Sequence, residues 1–319
     1  MSASVDSAAE VAAGAGGGAV RTVLGDLDPA EFGVCDAHDH LFLRSPRLPG
    51  EELDDPAAAE RVLRDFAAAG GRAMVQWTPH GMGRGAFALP GLARATGVHL
   101  VAATGLHQDV HYDPQWLAER YEGLAELFTA ELTTGLRAAP AGVRAGLIKV
   151  AGDYHGLGPH TRRVMAAAAE AHHATGAPIA VHHELGTAAS DVLDLLCGQH
   201  GVPAHRVILG HLNRLPDLRL HRHLAASGAY LALDGPSRTH HATDHHLFDT
   251  VAALVEAGHA DRLLLGGDTT TRTARHSPGP THLLTALAPR LDREFGPDLA
   301  RRLLVTNPAQ ALTVRWAPH

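Results

Sequence analysis

Val34-Cys35-Asp36-Ala37-His38-Asp39-His40-Leu41-Phe42-Leu43 is the stretch on which the reading of the fold turns. Val34 and Cys35 lead in as a short apolar run and Leu41-Phe42-Leu43 lead out, so the segment reads as a buried strand. Side chains alternate along a strand, which puts His38 and His40 on one face and Asp39 on the other. Two imidazoles side by side suit a divalent ion, because neutral ring nitrogen is a good zinc ligand. A chain with 25 histidines also brings such pairs together without any metal, and the pair alone leaves both readings open.

Working outward from this strand, Arg21 to Asp26 followed by Asp28-Pro29 reads as a short strand and turn. Residues 1–20 carry Asp6 and Glu10, end in Gly14-Ala15-Gly16-Gly17-Gly18, and lack a basic start and a Leu-rich centre. They are expected to form a flexible N-terminal tail rather than a secretory signal, with residues 21–319 as a single domain. Downstream, Asp55 to Ala69 is helical in period and stops at Gly70-Gly71, and Ala73 to Trp77 is a second strand. Gly81-Met82-Gly83-Arg84-Gly85 lacks the Lys-Ser/Thr ending of a nucleotide loop and reads as a turn.

Strands over 99–105, 145–150, 178–183, 206–211, 229–234 and 262–268 follow. They alternate with helices over 114–136, 161–175, 188–200, 217–227 and 243–257 and one from Thr281. Eight strand units of this kind fit a closed (β/α)₈ TIM barrel of the α/β class, with an open doubly wound sheet as the alternative. The length of 319 residues suits one such barrel, which commonly runs to about 250 residues plus insertions. The chain is 45% hydrophobic but only 4% aromatic, so Ala, Val and Leu must fill the core.

A net charge of −7 argues against a nucleic-acid surface or a polybasic membrane patch, and no apolar run has membrane-spanning length. Two cysteines, Cys35 and Cys197, make no disulfide framework and suit a reducing cytoplasm. The expected partner is a small-molecule substrate, and a homodimer stays open as the assembly.

Barrel active sites lie at the C-terminal ends of the strands. Ligand-type residues recur there on five strands: His38 and His40, Lys149, His182 with His183, His211, and Asp268. Packing alone does not explain them, because unpaired buried charges are costly. Lys149 could pair with an acid or act as a Schiff-base amine. A cation among four histidines and an aspartate would repel a metal, a conflict that disappears if the amine has become a carbamate.

These residues resemble the phosphotriesterase family of the amidohydrolase superfamily. The resemblance rests on His38-Asp39-His40, 145–150 around Lys149, 177–182 ending in His182, Ile208-Leu209-Gly210-His211 and Leu265-Gly266-Gly267-Asp268. Thr22-Val23-Leu24-Gly25, 101–105 and Asn307-Pro308-Ala309 support it, so it spans roughly 21–313. The separations 149 to 182, 182 to 211 and 211 to 268 are 33, 29 and 57 residues, room for one, one and two barrel units.

The resemblance implies two divalent ions, zinc first, held by His38, His40 and Asp268 on the buried side and by His182 and His211 on the exposed side. It further implies that carboxylated Lys149 and a hydroxide bridge the pair, and that Asp268 shuttles the proton. His183, on the opposite strand face, is expected to be structural.

The substrate is less legible. Where the family's lactonases carry a Tyr after strand three and an Arg after strand seven, this chain offers His107 and Gly235. His107 and Tyr154 are candidate pocket-wall residues. His155, Arg214, Arg238, His240, His241, Arg272 and Arg275 fall on loops expected at the barrel mouth. If they converge, they favour an anionic substrate, with Arg238, Arg272 and Arg275 as candidate contacts. His172, His173, His221 and His223 fall on expected helices and are read as surface residues. The leading expectation is a metal-dependent hydrolase cleaving a small anionic ester, lactone or amide. The alternatives are a phosphoester hydrolase, and a non-hydrolytic biosynthetic enzyme or inactive binder on the same barrel.

Overall fold

The computed structural model describes residues 17–235 and 242–316. Its main sheet contains β1 (Cys35–Asp39), β2 (Ala73–Gln76), β3 (His99–Gly105), β4 (Leu147–Ala151), β5 (Ile179–His182), β6 (Val207–Leu209), β7 (Tyr230–Asp234) and β8 (Leu263–Gly266). All eight are parallel and pair in sequence order. β8 returns to β1, where the Asp268 N–H donates to the His38 carbonyl at 2.8 Å, and the sheet curls into the expected (β/α)₈ barrel. At this seam a Cβ on Gly266 would meet the His38 Cβ at 2.7 Å and its carbonyl oxygen at 2.8 Å, so glycine is required.

The strands are runs of Ala, Val, Leu and Ile because both faces are covered. One apolar layer packs sheet against helices through residues such as Leu63, Phe66, Leu100, Phe128, Val164 and Leu196. A second fills the barrel interior with Val75, Val101, Ala103, Leu147, Ala180 and Ile208 around Trp77. Small side chains packed around one indole make up this interior in a chain poor in aromatics.

Several helices start on side-chain caps that the sequence advertises. Asp55 accepts from the Ala57 and Ala58 N–H groups at 2.8 and 3.2 Å, and Pro56 opens Pro56–Ala68. Asp113 and Asp217 cap Pro114–Ala118 and Leu218–Ala226 in the same way.

The chain departs from expectation in four places. The single helix expected over 114–136 is two, Pro114–Ala118 and Leu124–Thr133, parted at Gly123, whose φ of 148° breaks the helix. Leu89–Thr96 is a helix that the sequence reading leaves unassigned. Beneath the barrel, Ala19–Thr22 pairs antiparallel with Gly25–Leu27 and Thr313–Val314, so residues 19 and 20 of the expected tail belong to a strand. His172 and His221, expected at the surface, are buried, each with a ring nitrogen on a backbone carbonyl, Ala177 at 2.6 Å and Leu212 at 3.0 Å. Among the described residues no helix is long and apolar enough to cross a membrane.

Candidate metal centre

The strand ends assemble a buried cluster of rings around two carboxylates. His38 Nδ1 lies 2.7 Å from Asp234 Oδ2. An ionised carboxylate only accepts, so Nδ1 carries the proton and Nε2 keeps its lone pair. That Nε2 is buried and has no hydrogen-bond partner among the described residues. His211 repeats the arrangement, with Nδ1 2.6 Å from Asp234 Oδ1 and its backbone N–H 3.1 Å from Oδ2. One carboxylate thereby fixes the tautomer of two rings.

His40 reaches the same state by another route. Its Nδ1 is 2.7 Å from Thr78 Oγ1, and the Thr78 hydroxyl donates to the Phe42 carbonyl at 2.5 Å. The hydroxyl proton is committed, so Thr78 accepts from Nδ1–H and the His40 Nε2 lone pair is left for a ligand.

Asp268 Oδ1 stands 3.6 Å from His38 Nε2 and 3.5 Å from His40 Nε2. Both distances are too long for hydrogen bonds. Ligands about 2 Å from a tetrahedral ion sit about 3.3 Å from one another, so the spacing is that of groups sharing a cation. Ligand atoms of His38, His211 and Asp268 all fall within 4.8 Å of each other. His211 and Asp268 have left-handed backbones, φ 61° and 49°. Such conformations cost roughly 1–2 kcal/mol for a residue with a Cβ, and strain of this kind gathers at functional sites.

Charge in the cluster follows from burial. Burial pushes the His38 ring down to about 4 against the pull of Asp234, so it is neutral at pH 7. Burial works to raise the Asp234 carboxyl, yet the His211 and His38 rings outweigh it and hold it well below the usual carboxylate range. Burial also brings the Lys149 amine down to about 7, with Asp268 and Asp234 opposing. A sizeable share of that amine is unprotonated near neutral pH, the form that reacts with carbon dioxide. Gly105, at φ 100°, lies over the same strand, and a Cβ there would come within 2.0 Å of the Lys149 carbonyl.

His182 sits beside the cluster, its ring centroid 4.5 Å from His211 and its Nε2 3.1 Å from Glu184 Oε2. His183 turns away, with Nδ1 3.1 Å from the Thr187 carbonyl. Beneath His38 the Trp77 indole stacks at 3.6 Å and 14°, pinned by its Nε1–H to the Ala37 carbonyl at 2.8 Å. At the register shift in β1, Asp36 and Asp39 accept from the Gly267 and Thr269 N–H groups at 3.0 Å, holding the turn that carries Asp268. Burial and the neighbouring Asp39 push the Asp36 carboxyl well up.

The expected pocket residues separate. His107 stands at the site, its ring 4.6 Å from His182. Its Nδ1 accepts the Gln108 N–H at 2.7 Å, which places the proton of the neutral ring on Nε2. Tyr154 is 59% exposed and rests on His155. Arg275 is buried behind β1, donating to the Leu41 carbonyl beside Asp39, away from the histidine face. Arg272 is exposed, its backbone tied to the Glu51 carbonyl. Arg214 is buried and spends its guanidinium on Asp244 at 2.8 Å and the Gly235 carbonyl at 3.2 Å. Arg238, His240 and His241 lie outside the described residues.

The profile of the Phosphotriesterase family matches residues 18–312. The chain belongs to that family. It is 32% identical over 263 residues to a phosphotriesterase homology protein of Mycobacterium tuberculosis, covering 78% of this chain and 80% of that one. It is 26% identical to the N-acetyltaurine hydrolase of Bos taurus, over 93% of this chain and 99% of the other. A lactonase from Listeria monocytogenes superposes with a TM-score of 0.87 at 27% identity, covering 93% and 99%. The chain is accordingly a hydrolase of the phosphotriesterase family on a TIM barrel.

Proposed function

We propose that this family member is a two-metal hydrolase that cleaves a small carboxylic ester, lactone or amide. The observation that carries the reading is the set of rings at the rim. His38 and His40 each have Nδ1 committed to a carboxylate or hydroxyl, with Nε2 kept 3.5–3.6 Å from Asp268, and His211, also committed to Asp234, lies against the same Asp268 carboxylate. The neutral His38 ring with its unpartnered buried Nε2, grouped with His211 and Asp268, is a donor set that fits zinc. His38, His40 and Asp268 would hold one ion, His182 and His211 the other, and Lys149 as a carbamate would serve both.

Bound divalent ions supply Lewis acidity and a water that ionises near neutral pH. The protein's own groups do the rest. The Asp268 carboxylate takes the proton of the attacking water and passes it outward. His107 Nε2–H donates to the substrate oxygen on which charge develops. Trp77 closes the floor and excludes water beneath His38. The amide and lactone classes draw support from the names of two relatives, the N-acetyltaurine hydrolase and the Listeria lactonase.

The test is reconstitution with zinc, metal analysis, and assay against a lactone, an N-acyl amino acid and an aryl phosphotriester. Tight metal with turnover of the lactone or amide is expected. Tight metal with none of the three hydrolysed sinks the proposal, and turnover of the triester alone hands the site to phosphoester chemistry.

A further inference from the structure

The base of the barrel, opposite the rim, holds a second arrangement of polar groups that the hydrolase reading does not use. Arg206, Tyr230 and Arg262 stand at or just before the first residues of β6, β7 and β8. Together with His205 and Thr313 they wall a cavity of about 560 Å³. Arg206 and Thr313 also wall an adjoining depression of about 370 Å³ that includes Arg315. No carboxylate lines either hollow among the described residues, in a chain whose net charge is −7.

The guanidinium groups there are under-used. Arg206 donates from Nη1 to the Thr313 carbonyl at 2.6 Å, and no carboxylate pairs with it among the described residues. That bond takes one of five N–H donors. Arg262 lies over the Tyr230 ring at 5.3 Å, and among the described residues its acidic partner is Asp261 at 3.3 Å, which is about half exposed. An exposed pair of that kind contributes little and is screened by salt. Burial, and then Arg206 and Arg262, work against protonation of His205, so the three side chains share one local field.

We propose that this basin is a binding site for a small phosphate-bearing anion, distinct from the hydrolytic centre. Two planar guanidinium forks, an imidazole and a phenol around one hollow match the oxygens of a phosphate better than any neutral ligand. The site is separate because five or six residues of strand, roughly 16–20 Å at about 3.3 Å per residue, divide Arg206 and Arg262 from His211 and Asp268.

Calorimetric titration of the zinc-loaded full chain with inorganic phosphate tests it, with Arg206→Gln/Arg262→Gln and the single Arg262→Gln alongside. Two classes of site are expected in the parent. The base site should weaken about tenfold in the single variant and vanish in the double, with hydrolytic turnover unchanged. Selenate soaked into crystals should give anomalous density between Arg206 and Arg262. Identical isotherms for parent and both variants, or selenate confined to the rim, overturn the proposal. Because Arg262→Gln removes no backbone hydrogen bond, it keeps the test decisive if the double variant folds poorly.

Discussion

β6, β7 and β8 end in opposite ways. At the rim, His211, Asp234 and Asp268 are all but sealed from water, and the His211 ring proton is assigned by Asp234. At the base, Arg262 pairs with an acid that water reaches freely. Sequestered groups have their ionisation fixed by what touches them, whereas wet groups keep loose, interchangeable partners. Substitutions at the two ends should therefore differ steeply in effect.

The sharpest contrast is expected at Asp268. Asp268→Asn should lower turnover by about 10²–10⁴-fold even in protein brought to full metal occupancy, because an amide oxygen can still act as a weaker ligand but cannot take the proton. Parent-like turnover in a fully loaded variant would remove that residue from the chemistry. Next comes Asp234→Asn. A carboxamide offers one acceptor oxygen where two rings now donate, so metal affinity should fall about 10–100-fold. Competition with a chromophoric chelator measures this, and an unchanged affinity breaks the idea of a shared clamp.

Acid should weaken the metal-free protein more modestly. The folded His38 ring titrates at about 4, below the ordinary value of about 6.5. Its contribution is present above pH 6.5 and is lost as pH falls toward 4, roughly 2 kcal/mol by pH 5. The depressed Asp234 carboxyl acts in the same direction at lower pH. Urea unfolding at pH 7.5 and 5 should show the drop, and equal stability at both would contradict a neutral buried ring. The smallest change belongs to the base. Arg262→Gln should alter stability by less than about 0.5 kcal/mol, and a larger loss in thermal unfolding would make that end structural.

Strand periodicity made the barrel legible. Leu147-Ile148-Lys149-Val150 and Ile179-Ala180-Val181-His182 are apolar runs that carry one ligand-type group within or at the end, a pattern that fits a doubly covered strand. The same signal is present at Leu231-Ala232-Leu233-Asp234, but it does not by itself single out Asp234. Its role depends on meeting His38, 196 residues away, which no local pattern encodes. Thr78 was hidden for the same reason.

The loop cations show the opposite failure. Arg275 and Arg214 look like mouth residues in sequence, but backbone carbonyls and, for Arg214, Asp244 claim them. Helix 114–136 was misread because a single Gly123 outweighed an otherwise continuous period.

Trp77 offers an optical handle on all of this. Its indole lies face to face with the His38 ring and is wholly shielded from solvent. Ion uptake by that imidazole should alter the indole's fluorescence, so loading can be followed by light emission without any added dye.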